Sequence, residues 1–215
     1  MAGIKAQQLI AQRLLIALEE ASGIRAAMVR GGAPRSWFHN APANDIDIFV
    51  EVHKGFASRE YWETYIRSSL GRSYQRFIYK NQEQAQKLYR LGDSYRADFD
   101  VYSGGDPDII SVLEGFYDDQ WQQKVQIVIV NTDEGAHYNY FNFNNRFPTD
   151  FSKIAFNKLG DMIVSEEFMN CHRNQSIIYD DHEMSTEYLA KLMHQYPTYS
   201  AVSKHTRIGH LATTM

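Results

Sequence analysis

AMVRGGAPRSWFHNAPANDIDIFV, Ala27 to Val50, is the stretch around which the rest of the chain is organised. It reads as a short apolar strand over Ala26 to Val29, a turn at Gly31 and Gly32, a short helical or irregular connection, and a second strand from Asp45 to Val50. A strand repeats every two residues, so Asp45 and Asp47 point to one face, roughly 7 Å apart along the chain. Ile46 and Ile48 then face a core on the other side. Two carboxylates sharing one face of an apolar strand repel each other and are costly to desolvate, and a divalent cation between them relieves both penalties.

The glycines add an anion site. Gly31 and Gly32 lack Cβ atoms, so the backbone can turn sharply and approach a ligand. A helix beginning at Pro34 or Arg35 would present free N–H groups at the same end of the sheet. A glycine pair alone is an ordinary turn, and an Asp-Ile-Asp alone is an ordinary solvated strand end. In this order and spacing, the two together suit a nucleotide that brings its own magnesium, and so phosphoryl chemistry.

GGAPR followed by NDIDIFV resembles the signature of the DNA polymerase β-like nucleotidyltransferase superfamily: GG or GS, then two aspartates flanking an apolar residue. Arg35 is similar to the arginine of the GGxxR branch, which includes poly(A) polymerases and CCA-adding enzymes. Ser36 stands where that branch often has an acid, and no RRDF-type segment follows. The resemblance implies transfer of a nucleoside monophosphate from an NTP to a hydroxyl with Mg²⁺ or Mn²⁺. It implies that Gly31, Gly32 and Arg35 hold the triphosphate and that Asp45 and Asp47 hold metal.

The composition is compatible with that. A chain of 215 residues, 44% hydrophobic and 22% charged, can bury a sizeable core. A net charge of −4 argues against a protein that coats polyanions indiscriminately. The single cysteine, Cys171, forms no internal disulfide, and no run reaches transmembrane length. The expectation is a cytoplasmic protein, in the host cytoplasm if viral. His172, His182 and His194 lack metal-ligand spacing around Cys171, so zinc is not expected.

Along the chain, residues 3 to 21 read as a helix whose apolar stripe is Ile4, Leu9, Ile10, Leu14, Leu15 and Leu18, with Gln7 among its polar residues. Glu51 to Gly55 reads as a turn and Ser58 to Leu70 as a helix. Residues 72 to 95, RSYQRFIYKNQEQAQKLYRLGDSY, interleave cations with aromatics, a composition that can stack bases and neutralise phosphates but more often forms an amphipathic element with a wet face. ADFDVYS, 97 to 103, reads as a strand, Asp108 to Tyr117 as a helix, and KVQIVIV, 124 to 130, as a central strand by its β-branched content. Asn131 to Arg146 reads as loop and Phe151 to Phe156 as strand. Lys158 to Asp161 reads as a hairpin turn, and Ser165 to Cys171 and Thr186 to Gln195 as helices.

Two-metal phosphoryl transfer needs a third acid on a neighbouring strand. Asp150 and Asp100 are the candidates. In the small viral nucleotidyltransferases that this chain is similar to, the third acid follows a strand like KVQIV, which selects Asp150, with Asp100 second.

The expected architecture is α/β (α+β): one nucleotidyltransferase-like domain over 1–215, a mixed β-sheet flanked by helices. A helical and aromatic insert occupies about 56–96, and a C-terminal helical segment about 165–215. The catalytic and metal residues are then Asp45, Asp47 and Asp150. The acceptor is an RNA or tRNA, a protein or a small molecule. The competing reading is a non-catalytic nucleotide-binding or partner-binding protein, regulatory or antidote-like, that keeps the fold.

Overall fold

The computed structural model describes residues 2–19, 24–53, 58–69, 109–117, 123–132 and 147–205. Its sheet grows from the alternation seen in the sequence. In β2 (Asp45–His53), Ile46, Ile48, Val50 and Val52 are fully buried, while Asp45 and Asp47 stay partly exposed. Burying each such aliphatic side chain contributes roughly 1.5–3 kcal/mol, so the apolar face decides which way the strand lies.

β1 (Ile24–Arg30) pairs antiparallel with β2, and β4 (Gln123–Thr132) pairs parallel with β2 on its other side. β3 (Ile109–Tyr117) pairs antiparallel with β4. With β5 (Ile154–Phe156) and β6 (Met162–Val164), the mixed six-stranded order is β3-β4-β2-β1-β5-β6. β4 lies inside the sheet, one strand in from its edge rather than at its centre: Val125, Ile127, Val128, Ile129 and Val130 are all buried, so both its faces are covered.

By packing, the chain forms two compact units: Met1–His137 with Phe156–Asp161, and Tyr138–Ala155 with Met162–Met215. In the first, α1 (Ile4–Glu19) lies on β1 and β2 through Ile10, Ala11, Leu14, Leu15 and Leu18. α2 (Gly32–Phe38) packs on β1 and β2, with the Trp37 ring edge-on to Phe156 at 5.1 Å. α3 (Arg59–Ser69) starts where Ser58 Oγ accepts the Tyr61 N–H, and it buries Trp62 and Ile66 against β3 and α1.

In the second unit, the 3-10 turn Asp150–Ser152 precedes β5, and α4 (Glu166–Arg173) is capped by Ser165 Oγ, which accepts from the Phe168 N–H. β7 (Ser176–Tyr179) and β8 (Ser200–Ser203) form a separate parallel pair, with α5 (Thr186–Gln195) between them in sequence. Phe151 stacks on Phe168 at 5.5 Å and meets Tyr196 edge-on at 4.9 Å, which makes the aromatic centre of this unit. Among the described residues, no helix is long and apolar enough to cross a membrane.

Four sequence expectations need correction. Residues 109–117 are strand, not helix: their β-branched and aromatic residues complete a ladder with β4 that no local propensity reveals. Glu51 to His53 continue β2 rather than turning, because Glu51 pairs with Ala26 and sits 4.0 Å from the Arg30 guanidinium. The strand expected over Phe151 to Phe156 is a 3-10 turn followed by three strand residues, since Thr149 Oγ1 accepts the Phe151 N–H and holds the chain in a turn. Gln7, placed on the wet side of α1, is fully buried, and Leu9, placed in its apolar stripe, is half exposed. The basic and aromatic stretch 72–95, the ADFDVYS strand and residues 133–146 lie outside the described residues.

Candidate active site

The β1–β2 register decides what the site can be. Val29 pairs with Ile48, so the ladder brings Arg30 level with Asp47 as the chain leaves β1. Gly31 follows at once, with φ 68° and ψ −114°, a conformation that only glycine adopts without strain. The glycine turn and the two aspartates therefore occupy the same end of the sheet. Of the helical and irregular connections that the sequence allows after the turn, the helix forms, and α2 begins at Gly32 rather than at Pro34 or Arg35. Pro34 has no N–H and the Arg35 N–H bonds to Gly31 O at 3.3 Å, so the N–H groups of Gly32 and Ala33 are the ones the helix ladder does not use. A Cβ at Gly32 would meet nothing within 4 Å.

Arg35 is buried at 3% exposure inside α2, so it offers little surface to a ligand. His39 Nδ1 lies 2.8 Å from Arg35 O, which fixes the C-terminal end of this short helix.

On the face shared with Asp45 and Asp47, β2 continues with Phe49 and Glu51. Arg30 lies over the Phe49 ring at 4.9 Å and 4.0 Å from Glu51 Oε1, although it is only 1% exposed. On β4, Lys124 is level with Asp45, and buried Gln126 is level with Asp47. This face is polar and charged, whereas the opposite one is purely aliphatic. Sequence reasoning passed over Arg30, Glu51 and Gln126. A signal was present: single polar residues at period two inside VRGG, FVEV and KVQIV.

The donor set tests the fit to a divalent cation. Two aspartates on one partly exposed strand end supply hard oxygen ligands, and a nucleotide's phosphates and water would have to supply the rest. Among the described residues, no group of three or more His, Cys, Asp or Glu side chains is arranged to hold a metal. The pair fits a magnesium that arrives with its nucleotide better than it fits a closed protein cage.

Asp150 belongs to the second unit. It is 9% exposed, and its Oδ1 lies 3.0 Å from Lys153 Nζ and 3.1 Å from Lys204 Nζ. Lys153 also reaches Glu167 at 3.2 Å. Burial lowers the Lys153 pKa, but Asp150 and Glu167 more than offset that, and the ammonium is held above its ordinary range. The burial of Asp150 is thus compensated by two cations, with no metal required for it. Asp100, the other candidate third acid, lies outside the described residues.

No protein-family model matches the chain, and no curated protein matches it. Three solved structures that it resembles are, by description, two CCA-adding enzymes and a tRNA-processing enzyme. One is the Bacillus stearothermophilus CCA-adding enzyme in complex with CTP, at 12% identity and TM-score 0.46, covering 82% of this chain and 33% of that one. Another is a tRNA-processing enzyme in apo form I, at 13% identity and TM-score 0.47, covering 81% of this chain and 37% of that one. The Thermotoga maritima CCA-adding enzyme complexed with tRNA aligns at 12% identity and TM-score 0.42, covering 82% of this chain and 35% of that one. The chain spans about a third of the length of each.

Proposed function

We propose that this chain is a nucleotidyltransferase that moves a nucleoside monophosphate from an NTP to a hydroxyl acceptor. The observation that carries the reading is the placement of Asp45 and Asp47 on the partly exposed end of β2, level with the Gly31–Gly32 turn that leaves β1. That end joins hard anionic oxygens to backbone N–H groups, which a magnesium-bound triphosphate needs together.

Each group has a role in this reading. The N–H groups of Gly32 and Ala33 donate to the triphosphate oxygens, and the absence of a side chain at Gly32 lets those oxygens come close to the backbone. Arg35 favours negative charge at the turn. Asp45 and Asp47 would hold Mg²⁺ or Mn²⁺, which, when bound, offsets charge on the transferring phosphate and lowers the pKa of the attacking hydroxyl. Ile46 and Ile48, locked in the core, fix the direction of both carboxylates. A third acid completes the set in two-metal chemistry, with Asp150 and Asp100 as candidates. The resemblance in GGAPR and NDIDIFV to the polymerase β-like superfamily, with its GGxxR branch and small viral members, supports this reading.

The interleaved cations and aromatics of residues 72 to 95 make RNA one acceptor to test, beside protein. The test is direct. The protein is incubated with each α-labelled NTP, with Mg²⁺ or Mn²⁺, and with total RNA or total protein as acceptor. Label appearing in RNA, and lost in Asp45→Asn, supports the reading. Absence of label from every acceptor under every NTP returns the chain to a non-catalytic, nucleotide-binding or partner-binding role.

A further inference from the structure

A buried glutamine in an amphipathic helix is costly unless its amide is fully paired. Gln7 on α1 is 0% exposed, and its amide is saturated. Its Nε2 donates to Ala43 O and to Gln123 Oε1, both at 2.7 Å. Its Oε1 accepts from Trp37 Nε1 at 2.8 Å and from the Ala43 N–H at 2.9 Å. Trp37 Nε1 and the Ala43 N–H can only donate, so they fix which end of the amide is oxygen. Gln123 passes the constraint on, donating through its Nε2 to Asn44 O at 3.1 Å and to Lys124 O at 3.2 Å.

The location gives these bonds their meaning. Ala43 and Asn44 are the last residues before β2, and Asp45 is its first. Lys124, next to Gln123, is level with Asp45 in the parallel β2–β4 ladder. Gln7 grips both backbone groups of Ala43 as a neighbouring strand would, at a point where the segment runs outside any strand. It joins α1, the end of α2, the approach to β2 and the start of β4 through one side chain.

We infer that Gln7 is a positioning residue for the Asp45 and Asp47 pair. It acts through Ala43 and Gln123 and touches neither carboxylate. The inference rests on the proposed metal and nucleotide role of that pair, but the grip on the start of β2 can be measured without it.

Gln7→Met keeps the length and apolar volume of the side chain and removes all of its hydrogen bonds. Leu15→Ala, also on α1 and also fully buried, is the comparison for a general loss of packing. Amide hydrogen exchange is read first on the protein without nucleotide. Gln7→Met is expected to speed exchange at Asn44 to Asp47 selectively, leaving the middle of β1 close to wild type, whereas Leu15→Ala loosens β1 and β2 together. Uniform acceleration in both variants overturns the positioning role.

Mn²⁺ binding in the presence of ATP is then read by water-proton relaxation. Gln7→Met should weaken it on the order of tenfold, the effect of losing well-placed hydrogen bonds. Leu15→Ala, although it melts earlier, should bind Mn²⁺ nearly as wild type. Wild-type Mn²⁺ binding that Gln7→Met leaves unchanged overturns the inference and leaves the nucleotidyltransferase reading standing. Wild-type protein that binds no Mn²⁺ with ATP overturns that reading and, with it, the metal part of this inference. A Gln7→Met protein that does not fold is replaced by Trp37→Phe, which removes one donor, and selective exchange at Asn44 to Asp47 is again the deciding signal.

Discussion

Val29 pairs with Ile48 across the antiparallel β1–β2 ladder, and this register sets where the chemistry of the chain can lie. It carries the Gly31 turn to the end of β2 where Asp45 and Asp47 begin. A slip of one residue in β2 would turn both carboxylates into the aliphatic core and bring Ile46 and Ile48 out to solvent. The buried isoleucines oppose that slip, so the same residues that build the core aim the acids.

Asp45→Asn and Asp47→Asn are each expected to lower NTP-dependent labelling on the order of a thousandfold or more, because each removes an anionic ligand from a site with few. Stability should move by less than about 1 kcal/mol, since both side chains are partly exposed and the change relieves repulsion between them. Labelling rates and urea melts on the same preparations check this. Near wild-type transfer in either variant would make the pair structural.

Gly32→Val separates ligand approach from chain reversal. The site has room, for a Cβ there would meet nothing within 4 Å, and the backbone of Gly32 is ordinary helix. The fold should therefore keep its melting temperature to within the effect of about 1 kcal/mol. Calorimetry should nonetheless show Mg²⁺-ATP binding weakened by about tenfold or more, because the valine branches occupy the space that phosphate oxygens need. Gly31→Val is the poorer test: at φ 68° any side chain costs roughly 1–3 kcal/mol, so loss of binding and loss of fold would arrive together.

Local and long-range information divide cleanly in this chain. β2, α1 and the helix that starts at Ser165 were legible because period-two alternation, helical spacing and a capping hydroxyl each act within a few residues. The Asp45, Asp47 and glycine part of the candidate site was legible for the same reason, since one hairpin-like segment holds all of it. β3 was not, because IISVLEGFY fits a helix stripe as well as a strand, and its ladder partner lies on β4. Gln7 was misread for a related reason: at its position polarity predicts solvent, and only the partners Ala43, Trp37 and Gln123, distant in sequence, make burial tolerable. Arg30 and Glu51, likewise brought together only by the pairing of two strands, face each other at 4.0 Å.

The Lys153 cluster should give the second unit a distinct pH response. The raised pKa of Lys153 means that the folded state binds this proton more tightly than the unfolded chain does. Its stabilisation is present in full below the ordinary value of 10.5 and is lost as pH climbs through the higher folded value. Glu167 runs the other way. Its own backbone N–H lowers its pKa against the effect of burial, with help from Lys153, so its contribution holds above 4.5 and fades as pH falls through the lower folded value. Lys153→Met should cost roughly 1–3 kcal/mol at neutral pH, by leaving Asp150 with one cation in place of two. Melts at neutral and strongly alkaline pH should also show that the variant has lost part of the wild-type alkaline decline. A variant that declines with pH as steeply as wild type would show that the ion pairs contribute nothing.

The third acid is decided by the two aspartates that the sequence left in competition. If Asp150 is the ligand of the catalytic metal, Asp150→Asn stops transfer and keeps NTP binding, because Asp45, Asp47 and the triphosphate still hold the nucleotide-side ion. Asp100→Asn then retains most activity. If Asp100 is the ligand, the pattern reverses, and Asp150→Asn shows only a loss of about 1–3 kcal/mol of stability, from two ammonium groups left facing an amide. The ion pairs favour the second outcome. Oδ1 of Asp150 already sits within 3.1 Å of both Lys153 and Lys204, and a divalent cation brought to that carboxylate would have to displace at least one of them. Transfer and NTP binding are measured on both variants, and a crystal soaked with Mn²⁺ and a non-hydrolysable NTP shows which carboxylate lies at ligand distance. Manganese on Asp150, with Lys153 and Lys204 swung away, would make these lysines a cover over the metal position and restore the order-based assignment.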